Sequence, residues 1–243
     1  MPSRFFVPNL TGIDVPVGLP AGEAEHLTRV LRVVMGDVIS VFDGRGVEYL
    51  ARVEDVGPRG VMVRPFEHVV PVKEPEVSLT IAAALLKGRN FDAIVRDVTM
   101  VGAAAVQPIT TSRTEARGRY TDRWNRIAVA SAKQCRRAVV PEIRAPQSLE
   151  SLLQHDRSEL RLLLTEPGTS AALGRGTMRT LAARQPPSSA TLVIGPEGGW
   201  SGQEVDAAKA SGFVPITFGR LTLRADAVVV SAVSVLQYIW GDL

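Results

Sequence analysis

From residue 77 onward, short continuous apolar runs alternate with stretches of helical spacing. Residues 77–85, 105–109, 160–165, 191–195 and 213–218 are near-continuous apolar runs, the pattern of strands buried on both faces. Between and after them, residues 91–101, 122–137, 149–154, 201–211 and 225–240 place apolar side chains at helical spacing. Strands alternating with helices predict an α/β domain with a mostly parallel sheet covered on both faces. The first 70 residues follow another pattern. Residues 4–7, 38–42, 47–53 and 60–66 predict short strands, with turns at Asp43-Gly44 and Gly57-Pro58. Ala24, Leu27, Val30, Leu31 and Val34 predict one amphipathic helix over residues 21–34. That combination is a small β-barrel-like module with one helix. Pro71 and Pro75 flank the charged stretch where one pattern gives way to the other. The predicted domains are therefore 1–72 and 73–243.

Composition narrows the class. The chain has 243 residues, 45% hydrophobic and 22% charged, which suits a globular protein with a sizeable core. Its single cysteine, Cys135, excludes an intramolecular disulfide and fits a reducing compartment. The apolar stretch at the N-terminus is too short for a signal peptide. The last helix is interrupted by Ser231, Ser234 and Gln237 and is too short to cross a bilayer, so a cytoplasmic location is expected. Because that helix is apolar on nearly all sides, burial in a core and against a second copy of the chain is expected. His26, His68 and His155 show no metal-ligand spacing, and no metal is expected.

Net charge is only +3, but its distribution is uneven. Residues 1–72 carry seven Arg, no Lys and nine acidic residues. The window 113–144 holds nine basic residues against three acidic ones. That window is a candidate polyanion-binding face, with a solvated helix surface as the alternative.

Two loops carry the candidate chemistry. Gly195-Pro196-Glu197-Gly198-Gly199 follows an apolar strand and runs into a helix. Its glycines permit close backbone approach, and the turn lies where α/β sheets bind ligands. Ser201 and Glu204 have the spacing of a capping box for the next helix. Trp200 either leans over the mouth of a pocket or caps that helix. Neither the dinucleotide nor the triphosphate glycine pattern is present. The second loop lies in Phe218-Gly219-Arg220-Leu221-Thr222-Leu223-Arg224-Ala225-Asp226, again a strand, a turn and an apolar helix. The two loops are expected to form one pocket.

Residues 194–207 together with residues 218–226 resemble the 16S ribosomal RNA uracil-N3 methyltransferases of the SPOUT class. Arg4-Phe5-Phe6-Val7, the helix around His26 and Arg32, Lys87-Gly88, Gln134-Cys135-x-Arg137 and Val140-Pro141 extend the resemblance over nearly the whole chain. The chain departs from the family pattern at Met100, Lys133 and Asp226. The resemblance implies an N-terminal PUA-like β-barrel that docks RNA and a C-terminal SPOUT α/β domain with a deep trefoil knot. It implies a homodimer that binds S-adenosyl-L-methionine and methylates uridine 1498 of 16S rRNA in the small ribosomal subunit. The methyl donor is expected against three loops: Leu164, Thr165 and Glu166; Ile194, Gly195, Pro196, Gly198 and Gly199; Phe218, Gly219, Leu221, Thr222 and Leu223. Arg224 is the expected catalytic cation, facing the carbonyl oxygens of the base as its N3 proton leaves. Glu197 or Asp226 is expected to orient Arg224 or accept the proton. Arg4, Arg29 and Arg32 in the first module, and Arg113, Arg117, Arg119, Arg123, Arg136 and Arg137 in the basic window, are the expected phosphate contacts.

Overall fold

The computed structural model describes residues 2–58, 60–86, 89–114, 121–168 and 176–241; Lys87, Gly88, Arg117 and Arg119 lie outside them. The chain divides into two compact units. One comprises Met1–Glu74 with Val129–Val140, the other Pro75–Ala128 with Pro141–Leu243.

The first unit is a curled five-stranded sheet. Strands β1 (Arg4–Phe6), β2 (Val17–Gly18), β3 (Val38–Phe42), β4 (Glu48–Gly57) and β5 (Gly60–His68) lie in the order β1-β3-β4-β5-β2. β1 pairs with β3 in parallel and the remaining pairs are antiparallel. Register shifts at Leu50/Ala51 and Val53/Asp55 bend β4, as bulges do. Alternating residues of these strands build one core, with Phe5, Ile39, Val41, Ala51, Val53 and Val63 packed around Leu27.

The helix expected over residues 21–34 is shorter. α1 (Ala21–Glu25) continues as a single wide turn, His26–Val30, in which the Leu31 amide donates to the His26 carbonyl five residues back at 3.2 Å. Thr28 Oγ1 donates back to the Ala24 carbonyl at 2.9 Å, and Arg32 takes a left-handed φ of 54°. Periodicity misleads here because Val30 and Val34 are 64% and 61% exposed. Only Ala24 and Leu27 of the apolar stripe are buried.

The second unit is built on a wholly parallel sheet. Its strands are β6 (Ser78–Ala84), β7 (Ala105–Thr110), β8 (Glu142–Ile143), β9 (Gln147–Ser148), β10 (Leu160–Thr165), β11 (Gly176–Thr177), β12 (Ser189–Ile194) and β13 (Val214–Thr217). They run in the order β11-β13-β10-β12-β6-β7-β8, with β9 also on β7. The helices are α2 (Asn90–Met100), α3 (Thr121–Cys135), α4 (Leu149–His155), α5 (Met178–Leu181), α6 (Gly202–Ala210) and α7 (Ala225–Trp240). α3 begins in this unit and ends in the first. α4 and α6 contribute Leu149, Leu152, Leu153, Val205 and Ala208 to a core against Ala82, Ala84, Leu163 and Val193. Intervening strand residues such as Ile81, Leu162 and Leu192 are also fully buried, so the apolar runs do mark strands covered on both faces. α2 and α7 pack against each other. β8, β9, β11 and α5 are too short for sequence periodicity to register.

β12 lies on one side of β10 and β13, which follows β12 in the chain, lies on the other. Such a reversal opens a crevice beyond the carboxyl ends of the strands.

Candidate active site

The crevice holds a cavity of about 370 Å³, within the range of roughly 300–1,000 Å³ usual for small-molecule sites. Four strand ends supply its walls. Leu86 follows β6; Leu164, Thr165 and Glu166 end β10; Ile194 to Glu197 and Gly199 follow β12; Phe218 and the segment from Leu221 to Asp226 follow β13. The two glycine-bearing loops thus meet at one pocket, joined by the loop after β10. Of the expected residues, Gly198 and Gly219 do not line it. Leu86, Asn90, Pro167, Trp200, Ala225 and Val228 do, and the sequence reading passed over them or left them open. Leu86 and Asn90 flank Lys87-Gly88, which carries part of the family resemblance but is not a glycine-rich loop.

Trp200 is the residue that shapes this loop. Its indole Nε1 donates to the Leu164 carbonyl at 2.8 Å, tying the loop after β12 to the end of β10. The ring lies against Gly195: a Cβ there would stand 2.9 Å from Trp200 Cε2. Glycine is therefore required at 195 to admit the tryptophan. Trp200 is not the helix cap. Ser201 holds that position, accepting from the Glu204 amide at 3.2 Å while Glu204 accepts from the Ser201 amide at 2.9 Å.

Charge in the pocket is lopsided. Among the described residues, Glu166, Glu197 and Asp226 line it against one cation, Arg224. Arg224 is the N-cap residue of α7, with a side chain 76% exposed. It donates to Asp226 through Nε at 3.3 Å and Nη2 at 3.4 Å, long contacts that leave the guanidinium in solvent reach. Glu197 is exposed at the mouth. Among the described residues, no three His, Cys, Asp or Glu side chains cluster to hold a metal ion.

The expected phosphate contacts divide. Arg4 and Arg137 are already paired with carboxylates of this chain. The Arg4 side chain is 9% exposed and pairs with Glu48 through Nε at 3.0 Å and Nη2 at 2.7 Å. It also donates to the carbonyls of Ala132, Lys133 and Arg137. Arg137 is buried on Glu74, with Nε at 2.9 Å and Nη2 at 2.5 Å from Oε2. A guanidinium already desolvated on a carboxylate has little left to offer a phosphate. Arg123 is half-engaged by Asp92, and Arg113 donates to the Gly198 carbonyl at 2.6 Å. Arg29, paired with Glu25, and Arg32 and Arg136 are exposed. Basic residues cluster in sequence here, but among the described ones Arg123, Lys133, Arg137 and Arg144 pair with carboxylates of this chain.

A family model for an RNA methyltransferase domain matches residues 73–237, and one for an RNA methyltransferase PUA domain matches residues 19–66. The ribosomal RNA small subunit methyltransferase E of Synechocystis sp. is 33% identical over 217 residues, covering 88% of this chain and 70% of that protein. The chain belongs to this methyltransferase family. A relative of the same name from Mycobacterium bovis is 30% identical over 252 residues, covering 97% of this chain and 92% of its own length. The crystal structure of the Neisseria gonorrhoeae family member, bound to S-adenosyl methionine, matches with a TM-score of 0.87 at 26% identity. It covers 99% of this chain and 98% of that one. Two departures from the family pattern have local partners. Lys133 Nζ pairs with Glu23 at 2.7 Å and lies 5.2 Å from the Phe5 ring centroid, and Asp226 holds Arg224.

Proposed function

We propose that this protein is an S-adenosyl-L-methionine-dependent methyltransferase that modifies N3 of a uridine in 16S rRNA. The observation that carries the reading is the pocket at the β10–β12–β13 switch point, walled by the two loops that resemble the family's donor loops. The pocket fits the donor chemically. Its apolar walls suit an adenine ring, and three carboxylates against one guanidinium among the described residues suit a ligand with a sulfonium and an ammonium group. A polyphosphate would meet the same carboxylates unfavourably.

When bound, the sulfonium supplies an electrophilic methyl group. The residues of this chain then do three things. Leu164 to Glu166, Ile194 to Pro196 with Gly199, and Phe218 with Leu221 to Leu223 hold the donor, largely through backbone and apolar contact. Arg224, steadied by Asp226, faces the base carbonyl oxygens and favours the charge that develops on the ring as N3 loses its proton. Glu197, exposed at the mouth, accepts that proton. N3 forms the bond to the methyl carbon as the carbon–sulfur bond breaks, and that electron pair remains on sulfur.

The same reading includes a deep trefoil knot, supported by the strand order, and an RNA-docking role for the first unit. Arg29, Arg32 and Arg136 supply its exposed charge. It also includes a homodimer, supported by α7, a mostly apolar helix on which Tyr238 remains 73% exposed. The uridine at position 1498 is the target that the resemblance implies. Mass mapping of small-subunit rRNA from cells lacking the protein tests the function. Loss of one N3-methyluridine, restored by the gene, is expected; an unchanged modification map overturns the reading.

A further inference from the structure

The pocket wall at Gly195 to Gly199 has few side chains of its own, so something outside it must hold that backbone in place. The segment after β7 does so. Arg113 Nη1 donates to the Gly198 carbonyl at 2.6 Å, a short charge-assisted bond. The Arg113 stem lies along the same residue: a Cβ on Gly198 would stand 3.4 Å from Arg113 Cβ. One residue earlier, the Ser112 amide donates to Glu204 Oε1 at 2.8 Å. The other oxygen of that carboxylate accepts from the Ser201 amide and hydroxyl, both at 2.9 Å. Thr111 and Thr114 close the segment on itself, the Thr111 amide donating to Thr114 Oγ1 at 2.9 Å. The donor loop is therefore fastened at its middle by Arg113 and at its helical end by Glu204. Arg113 does not line the 370 Å³ pocket. It borders a separate cavity of about 490 Å³ on the other side of Gly199 and Trp200.

We infer that Arg113 is a positioning residue for the methyl donor, acting through the Gly198 carbonyl from behind the pocket wall. This rests on reading the pocket as the donor site. It gives Arg113 a task other than the phosphate contact expected from its basic neighbourhood. Fixing the backbone before binding lowers the ordering cost that the donor must otherwise meet. Lysine at this position keeps one donor for Gly198 but loses the planar fork and its packing.

The test uses the full-length protein without RNA, comparing wild type with Arg113→Ala and Arg113→Lys. Calorimetric titration with S-adenosyl-L-methionine is expected to show affinity about tenfold weaker for Arg113→Ala, with partial recovery in Arg113→Lys. Hydrogen exchange in ligand-free protein is expected to show faster exchange over residues 197–200 in Arg113→Ala, with the remaining sheet amides unchanged. With RNA, KM for the donor rises more than kcat falls. Unchanged exchange at 197–200, or unchanged donor affinity with weaker RNA binding and a salt slope smaller by about one, overturns the inference and returns Arg113 to the phosphate contacts. Failure of the wild type to bind the donor defeats the reading of the pocket instead, and the exchange comparison still decides whether Arg113 orders the loop.

Discussion

Arg224 stands at the mouth of the pocket on a short leash. Its contacts with Asp226 are long and solvent-exposed, so they contribute little to stability. A guanidinium held this loosely suits a group that must reach a base arriving from solvent. Replacing Arg224 by Ala is expected to lower kcat by about 10²–10³, the usual cost of one lost charge-stabilising donor. Donor affinity and melting temperature are expected to stay near wild type. Single-turnover kinetics beside a donor titration separate the two, and near-normal turnover removes Arg224 from the chemistry. Asp226→Asn in the same assay reports whether steadying the guanidinium matters, because the amide keeps an acceptor but not the charge. Gly195 shows the opposite kind of constraint. It is needed for the space that Trp200 occupies, which no motif reading reveals.

At the scale of elements, α6 shows how local sequence sets the geometry of the pocket. Ser201 and Glu204 form both halves of the capping box, so α6 begins where Trp200 has just been turned inward. Ser201→Ala removes the acceptor for the Glu204 amide and one donor to the Glu204 carboxylate. A cost of about 1 kcal/mol is expected, read by urea denaturation. Burial pushes the Glu204 carboxyl up, but its bonds from Ser201 and Ser112 outweigh burial and hold it below the ordinary value of 4.5. A carboxyl lowered on folding contributes stability above its unfolded value and loses it as pH falls through its folded value. The Ser201→Ala deficit is therefore expected to be full at neutral pH and to shrink below about pH 4.5. A deficit independent of pH contradicts the carboxylate's part in it.

The same helix shows what sequence can and cannot disclose. Its cap was legible because capping needs only residues three positions apart. β6, β10 and β12 were legible because strands covered on both faces are apolar throughout. The helix over residues 21–34 was misread because an apolar stripe signals burial only where a neighbour covers it, and Val30 and Val34 are left exposed. The pocket loops were legible as glycine patterns, while Leu86 and Asn90 come from a strand end with no such pattern. The brace from Arg113 was hidden because its partner is a backbone carbonyl 85 residues away.

At the scale of the whole molecule, the informative residue is Arg4. Its side chain is 9% exposed, and that of its partner Glu48 is 8% exposed. Ser40 donates its hydroxyl to the same carboxylate, and the Arg4 guanidinium lies 4.6 Å from the Phe42 ring centroid. Nη1 of Arg4 reaches the carbonyls of Ala132 and Lys133 in the last turn of α3, and Nη2 also reaches the carbonyl of Arg137. A cation is favoured beside carbonyls in the last turn of a helix. This one side chain therefore joins the first strand of the first unit to residues more than 125 positions later in the chain. It explains why Val129–Val140 packs with Met1–Glu74 although the sequence pattern places it in the second domain. Arg4→Ala leaves Glu48 buried without its cation, and a loss of about 3–5 kcal/mol is expected. Arg4→Lys is expected to recover only part of it, since an ammonium does not match the forked contacts. Denaturation with and without saturating S-adenosyl-L-methionine separates folding from binding. The donor adds stability by mass action, about 2.7 kcal/mol at one hundred times its dissociation constant. If Arg4 is purely structural, that increment is the same in wild type and Arg4→Ala, and the salt slope of RNA binding by folded protein is unchanged. A slope lower by about one, with stability intact, restores Arg4 to the RNA contacts and removes it from the fold's framework.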